Sequence, residues 1–253
     1  MRTADELRAL VAAALAELEV SPELGALAEP VRYAVGGKLI RPVLCLAAAE
    51  ALGLEAEEAL PTALAVELVH SFSLVHDDLP ALDDDDVRRG KPTVHAEFGE
   101  RTAILAGDAL LAEAFRLVAT SDRPEVVREL AKATLRMIGG QQLDFEGGAP
   151  RVDVHRLKTA ALFEAPVACA LALAGVVQDE RRAWLTFATE LGLLFQVVDD
   201  ILDGDGFVEE LGPGGARALA DEHAAGAHAA LAELDVDAGV LATIAETLAT
   251  RTV

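Results

Sequence analysis

The stretch HSFSLVHDDLPALDDDDVRRGKPT, residues 70–93, decides how the chain folds and where its chemistry lies. It continues an apolar run in which Leu68, Phe72 and Val75 recur at helical spacing. Six aspartates and two adjacent arginines then follow, and Pro80 interrupts the helical ladder among them. An acidic run alone is more often a solvated helix end. Here the acids end an apolar helix and cations follow closely, so the stretch predicts a charged site beside a buried helix.

Composition indicates a globular protein with a large core. The chain has 253 residues, of which 52% are hydrophobic. Its mean hydropathy is +0.31. The formal net charge of −22 disfavours nucleic acid or an anionic membrane as a partner, and an anionic substrate would need a cation as mediator. Cys45 and Cys169 stand in apolar surroundings, which is typical of buried reduced thiols in a cytoplasmic protein.

The first residues predict a helix, with no leader segment ahead of it. Thr3 and Glu6 have the spacing of a capping box before an amphipathic run. The apolar run at 165–177 is shorter than a bilayer span and is typical of a buried helix. We therefore expect a soluble protein without a stable membrane insertion.

Periodicity is helical almost throughout, and alternation of period two is scarce. We predict an all-α fold, a single domain over residues 1–253 built from roughly ten helices. Glycine and proline mark the expected breaks between helices, at 21–22, 36–37, 41–42, 60–61, 122–124, 147–150 and 212–215. None of these breaks is long enough to be an interdomain linker.

A second acidic cluster lies in FQVVDDILD, residues 195–203. On a helix Gln196, Asp199 and Asp203 share one stripe within an apolar run. Carboxylates on apolar helices are costly unless ions or hydrogen bonds compensate them. Mg²⁺ suits such ligands, because it takes one or two carboxylates and completes its shell with water and phosphate oxygens. The two clusters and the nearby cations therefore suggest a Mg²⁺-bridged diphosphate site.

Six motifs in order carry a resemblance to a known family. Besides the two acidic motifs they are GGKLIRP (36–42), LAGDALL (105–111), GGQQLDF (139–145) and HRLKTA (155–160). Together they resemble the trans-isoprenyl diphosphate synthases, the head-to-tail chain-elongating prenyltransferases, and most closely the bacterial farnesyl and geranylgeranyl diphosphate synthases. The resemblance implies a helical bundle around a deep central cavity, a homodimer, and two acidic motifs that face each other at the cavity mouth.

The resemblance also implies roles for individual residues. Two or three Mg²⁺ ions, bound with the allylic diphosphate, would be held by Asp77, Asp83, Asp199 and Asp203. Isopentenyl diphosphate would be bound by Lys38, Arg41, His70 and Arg89. Arg88 matches a contact to the allylic diphosphate, and the groups near the reacting allylic end are Lys158, Thr159 and Gln196. Mg²⁺ and guanidinium groups stabilise the leaving diphosphate, and an apolar cavity keeps water from the carbocation.

Phe72 and Ser73 decide the expected product. In the family this level of the helix forms the floor of the elongation pocket, and a bulky floor stops growth early. The aromatic Phe72, with two additional residues in DDLPALD, is similar to bacterial farnesyl diphosphate synthases. We expect farnesyl diphosphate from isopentenyl and dimethylallyl or geranyl diphosphates, with geranylgeranyl diphosphate as the alternative.

The chain departs from the family after residue 203. Lysines normally found there are missing, since Lys158 is the last lysine, and Ala160 replaces a usual glycine. The missing lysines leave open a non-catalytic regulatory partner that retains the fold. A class I terpene cyclase also ionises allylic diphosphates, but it has no need of the isopentenyl diphosphate residues in GGKLIRP.

Overall fold

The structure, a computed structural model, describes residues 1–251. It contains twelve α-helical segments, two more than the rough count from sequence, and the shortest has only five residues. Their bounds are α1 Ala4–Ala16, α2 Ala28–Ala34, α3 Ile40–Ala51, α4 Ala56–Asp77, α5 Val94–Phe98, α6 Glu100–Val118, α7 Pro124–Glu146, α8 Arg151–Lys158, α9 Ala161–Leu173, α10 Arg182–Asp203, α11 Phe207–Ala232 and α12 Gly239–Ala249. Short 3₁₀ helices cover Pro22–Leu27 and Gln178–Glu180. The all-α prediction is confirmed.

The local signals at the helix ends act largely as the sequence predicts. Thr3 and Glu6 form a reciprocal capping box at the start of α1. Gly212 has φ of +71° and kinks α11 at the predicted break. Two predicted breaks are wrong: Pro42 lies in the first turn of α3, where a proline is tolerated, and Pro61 lies inside α4. Pro61 removes one helical hydrogen bond, whose acceptor would be the carbonyl of solvent-exposed Glu57.

Two hydrophobic clusters form the core. One joins α1, α3, α9, α10, α11 and α12, and the other joins α4, α6, α7 and α9. α4 contributes its first half to one cluster and its second half to the other. It is long and apolar enough to cross a membrane, but 67% of that stretch is buried inside the protein, as in a central core helix. The acidic end of α4 therefore follows the half of the helix that packs in the second cluster.

The one β-structure in the described chain is a small antiparallel hairpin that the sequence did not predict. Strand β1 is Val87–Arg88 and strand β2 is Lys91–Pro92. Arg89 and Gly90, with φ of +55° and +75°, make the tight turn between them. Positive φ at both central residues is typical of a type I′ turn, which suits the twist of a hairpin.

Candidate active site

The loop after α4 is folded by its own backbone. The Asp83 N–H donates to the Asp77 carbonyl at 2.9 Å, which brings the two acids of the first motif together. Asp78, by contrast, is buried and accepts a hydrogen bond from the Arg88 Nε at 2.5 Å. Asp78 therefore anchors the hairpin, while Asp77 and Asp83 remain without a side-chain partner among residues 1–251.

The first cavity lies beside the C-terminal half of α4, bordered by α7, α8 and the start of α9, and has a volume of about 380 Å³. Its wall is mostly apolar and includes Phe72 and Ser73, and its charged groups include Asp77 and Lys158. Burial raises the pKa of Asp77 to about 6, with Lys158 opposing and Asp83 adding to that rise. The cavity thus combines an apolar body with a carboxylate whose burial Lys158 only partly offsets.

The second cavity is smaller, about 300 Å³, and is rich in cations. Its ionisable lining residues are Lys38, Arg41, Glu67, His70, Arg88, Arg89 and Asp199. Arg41 and His70 also line the first cavity, so the two spaces share a wall. The four predicted isopentenyl diphosphate residues meet here, and Arg88 lies with them rather than in the lining of the first cavity.

Arg41 is the most buried of these cations. Its guanidinium lies over Phe163 at 4.7 Å and faces Phe195 at 5.7 Å. Burial lowers the pKa of Arg41 to about 10, so it stays charged near neutral pH. Its Nε is buried without a hydrogen-bond partner in the described chain. A buried donor without a partner is costly, and the described chain leaves this donor of Arg41 unused.

His70 and Arg89 complete the basic wall. The His70 Nε2 is 3.4 Å from the Arg41 Nη1, and burial lowers the pKa of His70 well below its usual range, with Arg41 adding to the shift. A neutral imidazole beside guanidinium groups can still bind an anion through a ring N–H. Arg89 donates to the Gly36 carbonyl and crosses so close to Gly37 that a Cβ there would lie 2.0 Å from its Nη1. Gly37 therefore makes room for Arg89.

The second acidic motif is arranged differently from the first. The Thr159 Oγ1 donates to the Gln196 Oε1 at 2.9 Å, and the Gln196 Nε2 donates to the Asp200 Oδ1 at 2.7 Å. The other Asp200 oxygen accepts the Phe207 N–H at 2.9 Å, at the start of α11. Asp200 is buried and structural, and through it the helix junction positions Gln196 and Thr159.

Asp199 and Asp203 flank this junction. The Asp199 Oδ1 accepts a hydrogen bond from the Arg251 Nη1 at 2.5 Å, and Arg251 lies beyond α12. Asp203 is exposed and has no side-chain partner within residues 1–251. Asp77 lines the first cavity and Asp199 lines the second, and the two cavities share the wall of Arg41 and His70.

Lys158 lies at the end of α8 and borders the first cavity. Its Nζ donates to the Asp144 Oδ2 at 2.9 Å. The backbone of Lys158 is packed against α7, where a Cβ on Gly140 would lie 2.4 Å from the Lys158 nitrogen. Gly140, the second glycine of GGQQLDF, therefore lets the backbone of Lys158 approach α7 closely.

The sequence interpretation missed three residues. Glu67 is buried and faces the second cavity, and the pKa of its carboxyl is raised to about 7 by burial, against the opposing charge of Arg41. Its position one helical turn before His70 could have indicated this. The sequence indicates Asp200 only as a member of an acidic cluster. The sequence around Arg251 does not indicate its ion pair, because its partner Asp199 lies 52 residues away.

A hard divalent cation such as Mg²⁺ fits this donor set. Asp77 and Asp83 offer hard oxygen ligands, lie close together, and form no ion pair or side-chain hydrogen bond within residues 1–251. No cluster of three or more acidic, histidine or cysteine side chains suited to a metal occurs within the described residues. A cation held here must therefore complete its shell with water or ligand oxygens, as Mg²⁺ does. Asp77 and Asp83 would hold it, with Asp199 and Asp203 as candidates in the second motif.

The fold and the paired cavities define an all-α protein in which a mostly apolar cavity adjoins a cation-rich one. The chain belongs to the polyprenyl synthetase family, which residues 25–223 match. It is 38% identical over 251 residues to a farnesyl diphosphate synthase of Geobacillus stearothermophilus, with 85% of this chain and 84% of that protein covered. The predicted family is confirmed.

The relatives of this chain are not all named as farnesyl diphosphate synthases. The chain is 47% identical over 206 residues to a heterodimeric geranylgeranyl pyrophosphate synthase large subunit of Arabidopsis thaliana, with 73% of this chain covered. It spans 56% of the length of that relative. A solved FPP/GFPP synthase of Zymomonas mobilis superposes with a TM-score of 0.86 at 33% identity, covering 98% of this chain and 100% of that one. This similarity confirms the fold.

Proposed function

We propose that the protein is a Mg²⁺-dependent head-to-tail prenyltransferase that condenses isopentenyl diphosphate with an allylic diphosphate to give a short-chain product. The observation that carries the proposal is the wall of Arg41 and His70 shared by two cavities of opposite character. One cavity is mostly apolar with Asp77 at its edge, and the other is rich in cations. Two diphosphates, one bound through metal and one bound directly, fit this pair.

The chain's residues would divide the chemistry as follows. Lys38, Arg41 and Arg89 bind the diphosphate of the nucleophile, and His70 adds an uncharged donor. Lys158 adds a cation beside the departing diphosphate, and Thr159 and Gln196 present polar oxygens near the developing allylic carbocation. Bound Mg²⁺ supplies charge neutralisation of the leaving group. The apolar wall of the first cavity excludes water, which would otherwise quench the carbocation.

The balance of the reaction is simple. The allylic C–O bond breaks and its electron pair leaves with the diphosphate. The double bond of isopentenyl diphosphate then forms the new C–C bond, and loss of a proton restores an alkene. The departed diphosphate, held beside Lys158, is the base that the site offers for that proton.

We propose farnesyl diphosphate as the main product. Phe72 lines the first cavity and is nearly buried, five residues before Asp77 on α4, which is about 7.5 Å along the helix axis. Its ring occupies the depth at which a growing chain would meet the floor. Geranylgeranyl diphosphate is the second candidate, because several relatives are named as its synthases.

One assay tests these proposals. Purified protein is incubated with Mg²⁺, dimethylallyl diphosphate and isopentenyl diphosphate, and the products are separated by chain length. Linear fifteen-carbon product supports the proposal, and mainly twenty-carbon or longer product contradicts the farnesyl assignment. Cyclic product would instead support a cyclase, and no turnover with any allylic primer would support a regulatory partner.

Phe72→Ala tests the floor directly. Removal of the ring deepens the cavity, so the variant should make mainly products longer than those of the wild type. Unchanged product length in an active variant would reject Phe72 as the floor.

We also propose that the protein is a homodimer and is cytoplasmic. Three large apolar side chains are exposed on α6 and α7 and do not line the first cavity: Ile104, Leu105 and Leu135. A second copy packed on this surface would bury them. Light scattering coupled to size exclusion tests the assembly, and a heterodimer, as in the name of the Arabidopsis relative, is the other outcome. The cytoplasmic location rests on the two free, buried thiols.

A further inference from the structure

The face of α4 that carries Phe72 also carries His76, one helical turn further on. Both side chains line the first cavity. Their rings meet edge to face, with centroids 5.1 Å apart and an interplanar angle of 75°. Such pairs favour one mutual orientation of the rings. The orientation of His76 therefore bears on the orientation of Phe72.

His76 is itself held from two sides by α6. Its Nε2 lies 3.0 Å from the Ile104 carbonyl oxygen. Because a carbonyl only accepts, the Nε2 must carry the proton and donate it. On the next turn of α6, Gly107 leaves the space that the ring fills, since a Cβ there would lie 2.1 Å from the Nε2 and 2.3 Å from the Cδ2.

We propose that His76 is a specificity-determining positioning residue, which α6 locks through the Ile104 carbonyl and the gap at Gly107, and which in turn fixes the Phe72 ring across the floor of the elongation pocket. The inference rests on the proposed prenyltransferase function and adds a second residue to the control of its product length. Phe72 stops the growing chain, and His76 keeps Phe72 from turning aside.

The physical argument is the space that His76 fills. Without its imidazole, the Phe72 ring loses an edge-to-face partner and gains room on the side toward α6. A growing prenyl chain can then push the ring out of the floor position. His76 also lines the cavity itself, so its removal could lengthen products simply by widening the pocket. The two explanations predict different product ratios for the variant in which both His76 and Phe72 are substituted.

The test is a double-mutant cycle with product length as the readout. His76→Ala should raise the ratio of twenty-carbon to fifteen-carbon product about fivefold, within the range that loss of one aromatic pair implies. Phe72→Ala should raise it further. If His76 acts through Phe72, the double variant should match Phe72→Ala alone. An additive double variant would contradict the proposal and make His76 merely part of the wall.

Gly107→Ala provides an independent arm, because it leaves both rings in place. The new methyl group must push the imidazole away from the Ile104 carbonyl, so the product ratio should move in the same direction as in His76→Ala. Gly214→Ala is the matched control, since this helical glycine in α11 has nothing within 4 Å of an added Cβ. Its product ratio should equal that of the wild type.

The measurements distinguish an unfolded variant, a wrong inference about His76 and a wrong prenyltransferase proposal. Circular dichroism and thermal melts show whether every variant folds, and if Gly107→Ala does not, the cycle of His76 and Phe72 still decides. An active His76→Ala enzyme with the wild-type ratio overturns this inference and leaves the prenyltransferase proposal intact. A wild-type protein that forms no linear product overturns both.

Discussion

The two acidic motifs have similar sequences but opposite electrostatic situations. At the end of α4, Asp77 and Asp83 lie close together without a side-chain partner in the described chain, and burial raises the pKa of Asp77. At the end of α10, Asp199 is paired with Arg251, and Asp200 is satisfied by Gln196 and the Phe207 backbone. Asp77 and Asp83 therefore depend on an added cation, whereas Asp199 and Asp200 are already compensated by the protein.

Asp77→Asn should show the largest effect. Loss of this carboxylate removes a metal ligand, so turnover with Mg²⁺ should fall at least about 100-fold. The same change removes a desolvated charge, so the metal-free protein should become more stable at pH 7, by about 1 kcal/mol. Initial rates and thermal melts without Mg²⁺ measure the two effects.

Asp86→Asn is the control for this prediction, because Asp86 lies in the same acidic run but is fully on the surface. It should leave both rate and stability close to those of the wild type. Reduced stability in Asp77→Asn would mean that the first motif has a compensating partner and would remove the contrast between the motifs.

Asp200→Ala probes the compensated motif. The substitution leaves the Phe207 N–H and the Gln196 amide without their acceptor, so the free energy of unfolding should fall by about 2 kcal/mol. Chemical denaturation measures the loss, and Asp205→Ala, an exposed neighbour, is the control. A neutral result would show that the α10–α11 junction does not depend on this carboxylate.

Glu67→Gln tests a third arrangement, an acid buried among cations. The folded-state pKa of Glu67 is raised from 4.5 to about 7, so its contribution to stability is fully present below pH 4.5 and is lost as the pH rises through 7. Relative to Glu67→Gln, the wild type should therefore lose up to about 1.4 kcal/mol per pH unit across that window.

Urea denaturation between pH 4.5 and 8 measures this difference. Glu58→Gln, on the exposed face of the same helix, should show no such pH-dependent difference from the wild type. Parallel curves for the wild type and Glu67→Gln would mean that the cations of the second cavity fully compensate this carboxylate.

Only the locally encoded features of the two motifs can be predicted from the sequence. Helical periodicity and the proline after Asp78 are enough to predict α4 and its acidic end. The resemblance supplied the basic residues that the structure gathers around the second cavity. The capping role of Asp200 depends on the turn into α11, and the hairpin depends on positive φ at Arg89. Neither follows from residue type alone, because each is decided by contacts made only after folding.

Arg251→Ala has the smallest expected effect and tests whether the compensation at Asp199 competes with metal. Both side chains are about a quarter exposed, so the ion pair contributes a fraction of a kcal/mol to 1 kcal/mol. If Mg²⁺ must displace Arg251, the variant should reach half-maximal rate at about threefold lower Mg²⁺. Arg217→Ala, which removes another arginine near α12, should leave the Mg²⁺ requirement unchanged. A higher requirement in Arg251→Ala would instead mean that Arg251 assists the bound diphosphate, and that the two motifs bind their ligands by different means.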